Sequence, residues 1–205
     1  MTTTKTMTNH MRKDALDHVS QEHREIDATV AFGFWMYLMT DFVLFASLFA
    51  TYAVLRAGML PGSLVFSAPF VLLETVILLT SSFTSGLTLL AAHRGSRSWT
   101  IAGLLATFAL GATFLGMELT EFSRMIADGS GPQISGFLSS YFTLVGTHGL
   151  HIFVGLLWLV ALIVAIARVG LTRSTTRKVM LWSMFWHFLD IVWIFIFTIV
   201  YLLAL

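Results

Sequence analysis

Five long apolar stretches follow a polar amino-terminal segment. They cover residues 31–54, 70–90, 99–117, 137–167 and 179–205. A bilayer core of about 30 Å needs about 20 helical residues at ~1.5 Å rise each. Every stretch meets or nearly meets that length, and the fourth is long enough to tilt or project beyond the hydrocarbon. The short alternating segments of a membrane barrel are absent. The pattern predicts an all-α integral membrane protein with five transmembrane helices at about residues 30–55, 69–91, 99–119, 137–167 and 179–204. Residues 1–29 form a polar tail, read either as a short surface helix over 13–27 or as a disordered or partner-bound segment. The tail lacks the order of basic, apolar and small residues that a signal peptide requires. Its histidines, His10, His18 and His23, are irregularly spaced and are not read as metal ligands.

The connections supply the orientation. One contains Pro61-Gly62 and ends at Pro69, and another is a tight basic turn around Arg94 and Arg97. A third holds the run Asp128-Gly129-Ser130-Gly131-Pro132, and the fourth carries Arg168, Arg173, Arg177 and Lys178. An odd number of crossings separates the termini. The side of the amino tail collects Lys5, Arg12, Lys13, Arg24, Arg94, Arg97, Arg168, Arg173, Arg177 and Lys178, against Arg56 and Arg124 on the other. The positive-inside rule then predicts a cytoplasmic amino terminus and a periplasmic carboxyl terminus.

Composition narrows the chemistry. The 205 residues are 57% hydrophobic and only 11% charged, with a mean hydropathy of +0.82. A soluble or disordered chain is excluded, and no basic face exists for nucleic acid. The absence of cysteine removes disulfides, thiolate-bound metals and CxxCH haem attachment.

The informative residues are those that are costly in lipid, since ionisable groups at such depth face protein or water. Asp41 stands roughly 15 Å into its helix, near the midplane. Glu74 lies nearer a helix end, Glu118 and Glu121 cluster at the outer end of the third helix, and Asp190 is well inside the fifth. No Lys or Arg shares these interiors, so each acid must pair with histidine, hydroxyls or a partner subunit, or be protonated. His148 and His151 share one helical face, and His187 and Asp190 have the same spacing. The two faces could meet across the fourth and fifth helices, with an aspartate orienting a histidine.

Three intramembrane histidines are too few for two bis-histidine haems, and a three-histidine copper site would leave none for a neighbouring haem. A structural polar network or interface is therefore preferred over a metal, haem or proton-linked site. For Asp41, bonding to Thr40, Ser47 or a neighbouring protein is the plain reading, and proton carriage is the functional one. Ala102-xxx-Ala106 and Ala112-xxx-Gly116 predict close helix approach, and the hydroxyl band from Thr80 to Ser85 suits interhelical hydrogen bonds. No catalytic residues are assigned.

Several segments resemble subunit III of the haem-copper respiratory oxidases, and within that family the bo-type branch. They are residues 33–41 (GFWMYLMTD), 69–75 (PFVLLET), 116–122 (GMELTEF), Gly136-Phe137, 146–151 (GTHGLH) and 186–193 (WHFLDIVW). The likeness extends over residues 31–205.

The resemblance implies a subunit III-like bundle lacking the first two helices of larger members, and carrying no haem or metal of its own. It implies a direct partner, subunit I, holding haem b, haem o and copper B, with subunits II and IV in the same complex. It implies ubiquinol oxidation, oxygen reduction and proton pumping by that complex in a bacterial inner membrane. This chain would stabilise subunit I and bind phospholipid. Asp41 falls at the family's carbodiimide-reactive carboxylate, usually glutamate in mitochondrial-type members. Glu74 and Glu118 replace amides of the mitochondrial pattern, and Glu121 with Phe122 matches an acid-aromatic pair. His148, His151, His187 and Asp190 match positions assigned to internal hydrogen bonding. Two alternatives stay open: a subunit III of a bacterial cytochrome c oxidase, and a small proton-coupled carrier using Asp41 and Asp190.

Overall fold

The computed structural model describes the backbone of residues 2–56 and 68–202 and the side chains of residues 21, 25–56 and 69–202. The side chains of the tail histidines, the Pro61-Gly62 connection and the last three residues lie outside these described parts. Five α-helices are present: α1 Thr2–Arg56, α2 Ala68–His93, α3 Arg97–Ala127, α4 Gly136–Val169 and α5 Arg173–Ile196, the last continuing as a π-helical turn over Phe197–Tyr201. All five contain stretches long and apolar enough to cross a membrane. No strand occurs among the described residues.

The helices outrun their apolar stretches. α1 begins at Thr2, because no glycine or proline stands between residues 2 and 32 to stop it. α5 begins at Arg173, ahead of its apolar run, because Thr172 and Thr175 form a reciprocal capping box there. The three described turns between helices each hold a glycine at positive φ. Gly95 has φ 72° and follows α2 in a Schellman arrangement, with Ser96 N–H donating to the Ala91 carbonyl at 3.1 Å. Gly170, at φ 82°, ends α4 with its N–H on Ile166.

Two compact units divide the chain at Thr40/Asp41. In the first, the Thr29 hydroxyl donates to Glu25 and that of Thr40 to Tyr37, both back along the helix, and Phe34 contacts Tyr37. The second unit, Asp41–Leu205, holds the bundle. In it α2 packs on α3, α3 on α4, α4 on α5 and α5 back on α2, so the four close a ring. The final turns of α1 lie against α4 and α5 through Phe45–Phe188, Phe49–Phe195 and Tyr52–Phe137 ring contacts.

This bundle is apolar outside, and its largely apolar interior carries a stripe of polar residues. The buried stripe of α2 reads Val71, Glu74, Leu78, Ser81, Ser82, Ser85 and Thr88, while Leu72, Val76, Leu79, Phe83 and Leu90 point outward. In lipid no hydrophobic force drives helices together, so packing and hydrogen bonds must do it. The hydroxyl band supplies the bonds, as expected: Ser81 accepts from Trp186 at 3.1 Å, Thr84 bonds Thr107 at 2.9 Å, and Ser85 bonds Ser183 at 3.2 Å.

α5 is the most enclosed element, with 50% of its apolar window buried against 28% for α3. Its Trp182, Trp186 and Trp193 are all fully buried, and each indole N–H has an acceptor: the Gly155 carbonyl, Ser81 and Thr75. On α3 the small residues at the helix contacts differ from the pairs expected. Ala102 and Ala106 are exposed, and nothing stands within 4 Å of where a Gly116 Cβ would be. Gly103 and Gly111 make the close approaches instead, Gly103 against Thr88 and Gly111 against the Trp186 ring. The register is set by the bulk that must be admitted, which small-residue spacing alone does not reveal.

Candidate functional site

The intramembrane polar residues separate into three groups. The first joins α1 to α4. His151 Nε2 lies 3.3 Å from Asp41 Oδ1 and 3.2 Å from Oδ2, and its Nδ1 is 2.7 Å from the Thr147 carbonyl. A carbonyl only accepts, so Nδ1 carries a proton and donates it. One further proton then sits between Nε2 and the carboxyl group, and on either atom the pair is neutral overall. Such a pair is tolerable in lipid, where a lone charge costs at least ~2.5 kcal/mol. The partners first considered for Asp41 are engaged elsewhere: Thr40 bonds Tyr37, and Ser47 bonds Leu44.

The second group joins α2 to α5. Ser82 Oγ is 2.6 Å from His187 Nδ1 and also stands beside the Asp190 carboxyl group. The expected meeting of His187 and Asp190 with His148 and His151 across α4 and α5 does not occur. α5 turns that pair toward α2, because the face directed at α4 is filled by Trp182 and by Trp186, whose ring abuts Gly155. Sequence reasoning did not single out Ser82 for either residue, since nothing distinguishes it from its neighbouring hydroxyls.

The third group lies near the other end of the ring. Tyr141 OH is 2.9 Å from Tyr201 OH, which donates to Glu121 Oε2 at 3.3 Å. Glu74 and Glu118 are buried, and their oxygens have no hydrogen-bond partner among the described residues. His148 is likewise buried without a partner for either nitrogen, held by stacking on Trp193 at 5.4 Å and by the Phe114 edge at 6.0 Å. The tyrosines were missed in the sequence because single phenols in apolar helices carry no spacing signal.

Glu118 is admitted by Gly149, where a Cβ would stand 2.8 Å from both carboxyl oxygens. Gly149→Ala is therefore expected to destabilise the chain by about 1–3 kcal/mol, the usual cost of overpacking. Adding Glu118→Ala should recover most of the loss. Melting temperatures of the two single variants and the double variant check this, and simple additivity would refute the contact.

Among the described residues, no three His, Asp or Glu side chains converge as a metal-ligand set. The histidines go to three different environments. Such a fold defines a multi-pass membrane protein in which several interior polar groups, among them Ser81, Ser82 and His151, bond from one helix to another. The chain belongs to the cytochrome c oxidase subunit III family, whose model matches residues 3–205. It is 54% identical over 190 residues to the cytochrome bo(3) ubiquinol oxidase subunit 3 of Pseudomonas aeruginosa, covering 91% of each chain. It is 50% identical over 175 residues to the protein of that name from Pseudomonas putida, covering 84% of each. With the quinol oxidase subunit 3 of Bacillus subtilis it shares 42% over 177 residues, 84% of this chain and 86% of the relative. Members of this family work as one subunit among several, so the chain has partner oxidase subunits.

Proposed function

We propose that this chain is the non-catalytic subunit III of a ubiquinol-oxidising, oxygen-reducing terminal oxidase that pumps protons. Its identity of 54% across 91% of a relative named as a ubiquinol oxidase subunit carries the reading. Haem b, haem o and copper B belong to subunit I, the direct partner, with subunits II and IV completing the complex. The chain steadies subunit I and holds phospholipid at its surface. Asp41, Glu74, Glu118 and Glu121 are its intramembrane carboxyl groups with lipid- or proton-related roles, and His148, His151, His187 and Asp190 its helix-to-helix polar network. The Asp41–His151 pair and the His187–Ser82 bond support that network, since each ties two helices through the interior.

The organisation proposed is a cytoplasmic tail over residues 1–29 and a transmembrane domain over 30–205, in a bacterial inner membrane. The crowding of Arg94, Arg97, Arg168, Arg173, Arg177 and Lys178 at one end supports a cytoplasmic amino terminus.

The test is to purify the tagged chain from its native membrane in mild detergent. Subunit mass spectrometry, metal content and the dithionite-reduced minus oxidised spectrum should report larger subunits, haems b and o, and copper. The preparation should oxidise ubiquinol in preference to reduced cytochrome c. The opposite donor preference would move the chain to a cytochrome c oxidase. A colourless, partnerless chain that carries protons in liposomes would replace the reading with a carrier.

A further inference from the structure

His187 uses only one of its ring nitrogens inside the chain. Its Nδ1 is 2.6 Å from Ser82 Oγ, while Nε2 has no hydrogen-bond partner among the described residues and is not enclosed by them. The ring is partly exposed on the outer side of the α2–α5 seam. Ile191, one turn further along α5, and Leu79 on α2 are exposed beside it. His187 stands at the middle of the Arg173–Tyr201 span and Ser82 near the middle of Pro69–His93, which puts this nitrogen at mid-membrane.

The seam also leaves room for a close neighbour. Gly86 follows Ser82 by one turn on the same face of α2, and nothing stands within 4 Å of where its Cβ would be. The glycines that serve packing inside the ring, Gly103, Gly111 and Gly155, all have a neighbouring atom within 3.0 Å of that point. A small pair such as Ser82-xxx-Gly86 lets a second helix approach closely in lipid.

The depth decides the occupant. The polar atoms of a phospholipid lie at the surface of a ~30 Å core, about 15 Å from the midplane, and its acyl chains neither donate nor accept. The exposed side chains around His187, Leu79, Phe83 and Ile191, are apolar and line no aqueous path. An unsatisfied polar group in hydrocarbon costs several kcal/mol. A histidine at this level therefore faces protein. We infer that the α2–α5 seam receives a transmembrane helix of another subunit, which packs on Gly86 and brings an acid, amide or hydroxyl side chain to His187 Nε2. The inference rests on the multisubunit reading above, and adds to it the face that meets a partner and the chemistry of the contact.

The experiment uses the intact complex in its native membrane. A photo-reactive benzophenone side chain placed at Ile191, or at Leu79, should cross-link to one helix of another subunit, identified by mass spectrometry of the digested product. Labelling confined at both positions to lipid, to quinone or to a second copy of this chain would overturn the inference. His187→Phe keeps a ring and removes the nitrogens. It should speed loss of this chain from the purified complex about three- to tenfold, the range of one interhelical hydrogen bond. His187→Gln, which can still bond, should lose less. Gly86→Leu adds bulk where this chain's own atoms leave room for a Cβ, and should speed the loss at least as much by obstructing the partner. Equal rates in wild type, H187F and G86L would also overturn the inference. Haem and subunit content of the wild-type complex test the oxidase reading separately, so either can fail alone.

Discussion

Replacing Asp41 by alanine is expected to loosen α1 from α4 and to lower the retention of this chain in its complex, while haem absorbance stays unchanged. His151 already spends its Nδ1 proton on the Thr147 carbonyl, so Nε2 has Asp41 as its partner at this depth. Alanine would leave that nitrogen unsatisfied. The cost is about 1–3 kcal/mol for a buried neutral group and nearer ~3–5 kcal/mol where a buried charge loses its counter-charge. Asp41→Asn should cost less, because the amide can still donate to Nε2. His151→Leu in the alanine background should recover part of the loss, since no polar group is then stranded. The measurements are subunit ratio after gel filtration, melting temperature and the reduced haem spectrum. Loss of haem absorbance with every subunit still present would sink the prediction, for it would give Asp41 a role at the redox centres.

A larger effect is expected where the Trp186 indole is clamped between two glycines. A Cβ on Gly111 would stand 2.8 Å from its ring, and one on Gly155 3.0 Å from the opposite part of the same six-membered ring. Gly155→Leu should prevent α4 and α5 from closing, at a cost of at least about 3 kcal/mol, the upper end of ordinary overpacking. Trp186→Ala should cost about as much by a different route. It empties a site and strands the Ser81 hydroxyl that accepts the indole proton. The compensating pair makes the argument specific. The atoms nearest Gly111 belong to the ring that Trp186→Phe removes, so Gly111→Ala should be better tolerated with Trp186→Phe than alone. Thermal melts of the purified complex report the coupling, and additive losses would mean that the indole does not occupy this gap.

The five crossings were legible from hydropathy alone because the backbone in lipid must satisfy itself, leaving a long apolar run little choice but helix. The candidate polar residues were legible for a related reason: an acid or histidine is rare in such runs and cannot face hydrocarbon cheaply. The hydroxyl band of α2 could be read as interhelical glue for want of any better partner in lipid. Helix ends were less legible. Outside the hydrocarbon the hydropathy signal stops while the helix continues, as α1 does through its polar residues and α5 does from Arg173.

What the chain determined by itself is therefore the number of helices, their lengths within the membrane, and the short roll of residues that had to find partners inside. Which partner each found was decided by the tertiary structure. His151 met Asp41 of α1, and His187 met Ser82 of α2. Gly103 and Gly111, rather than the Ala102–Ala106 pair, took the close contacts, leaving that pair to the surface. The reason is steric and rotational. Residues three or four apart share a helix face, but the direction of that face depends on how all its neighbours pack. In this bundle the three buried tryptophans of α5, with the glycines that admit one of them, set that rotation.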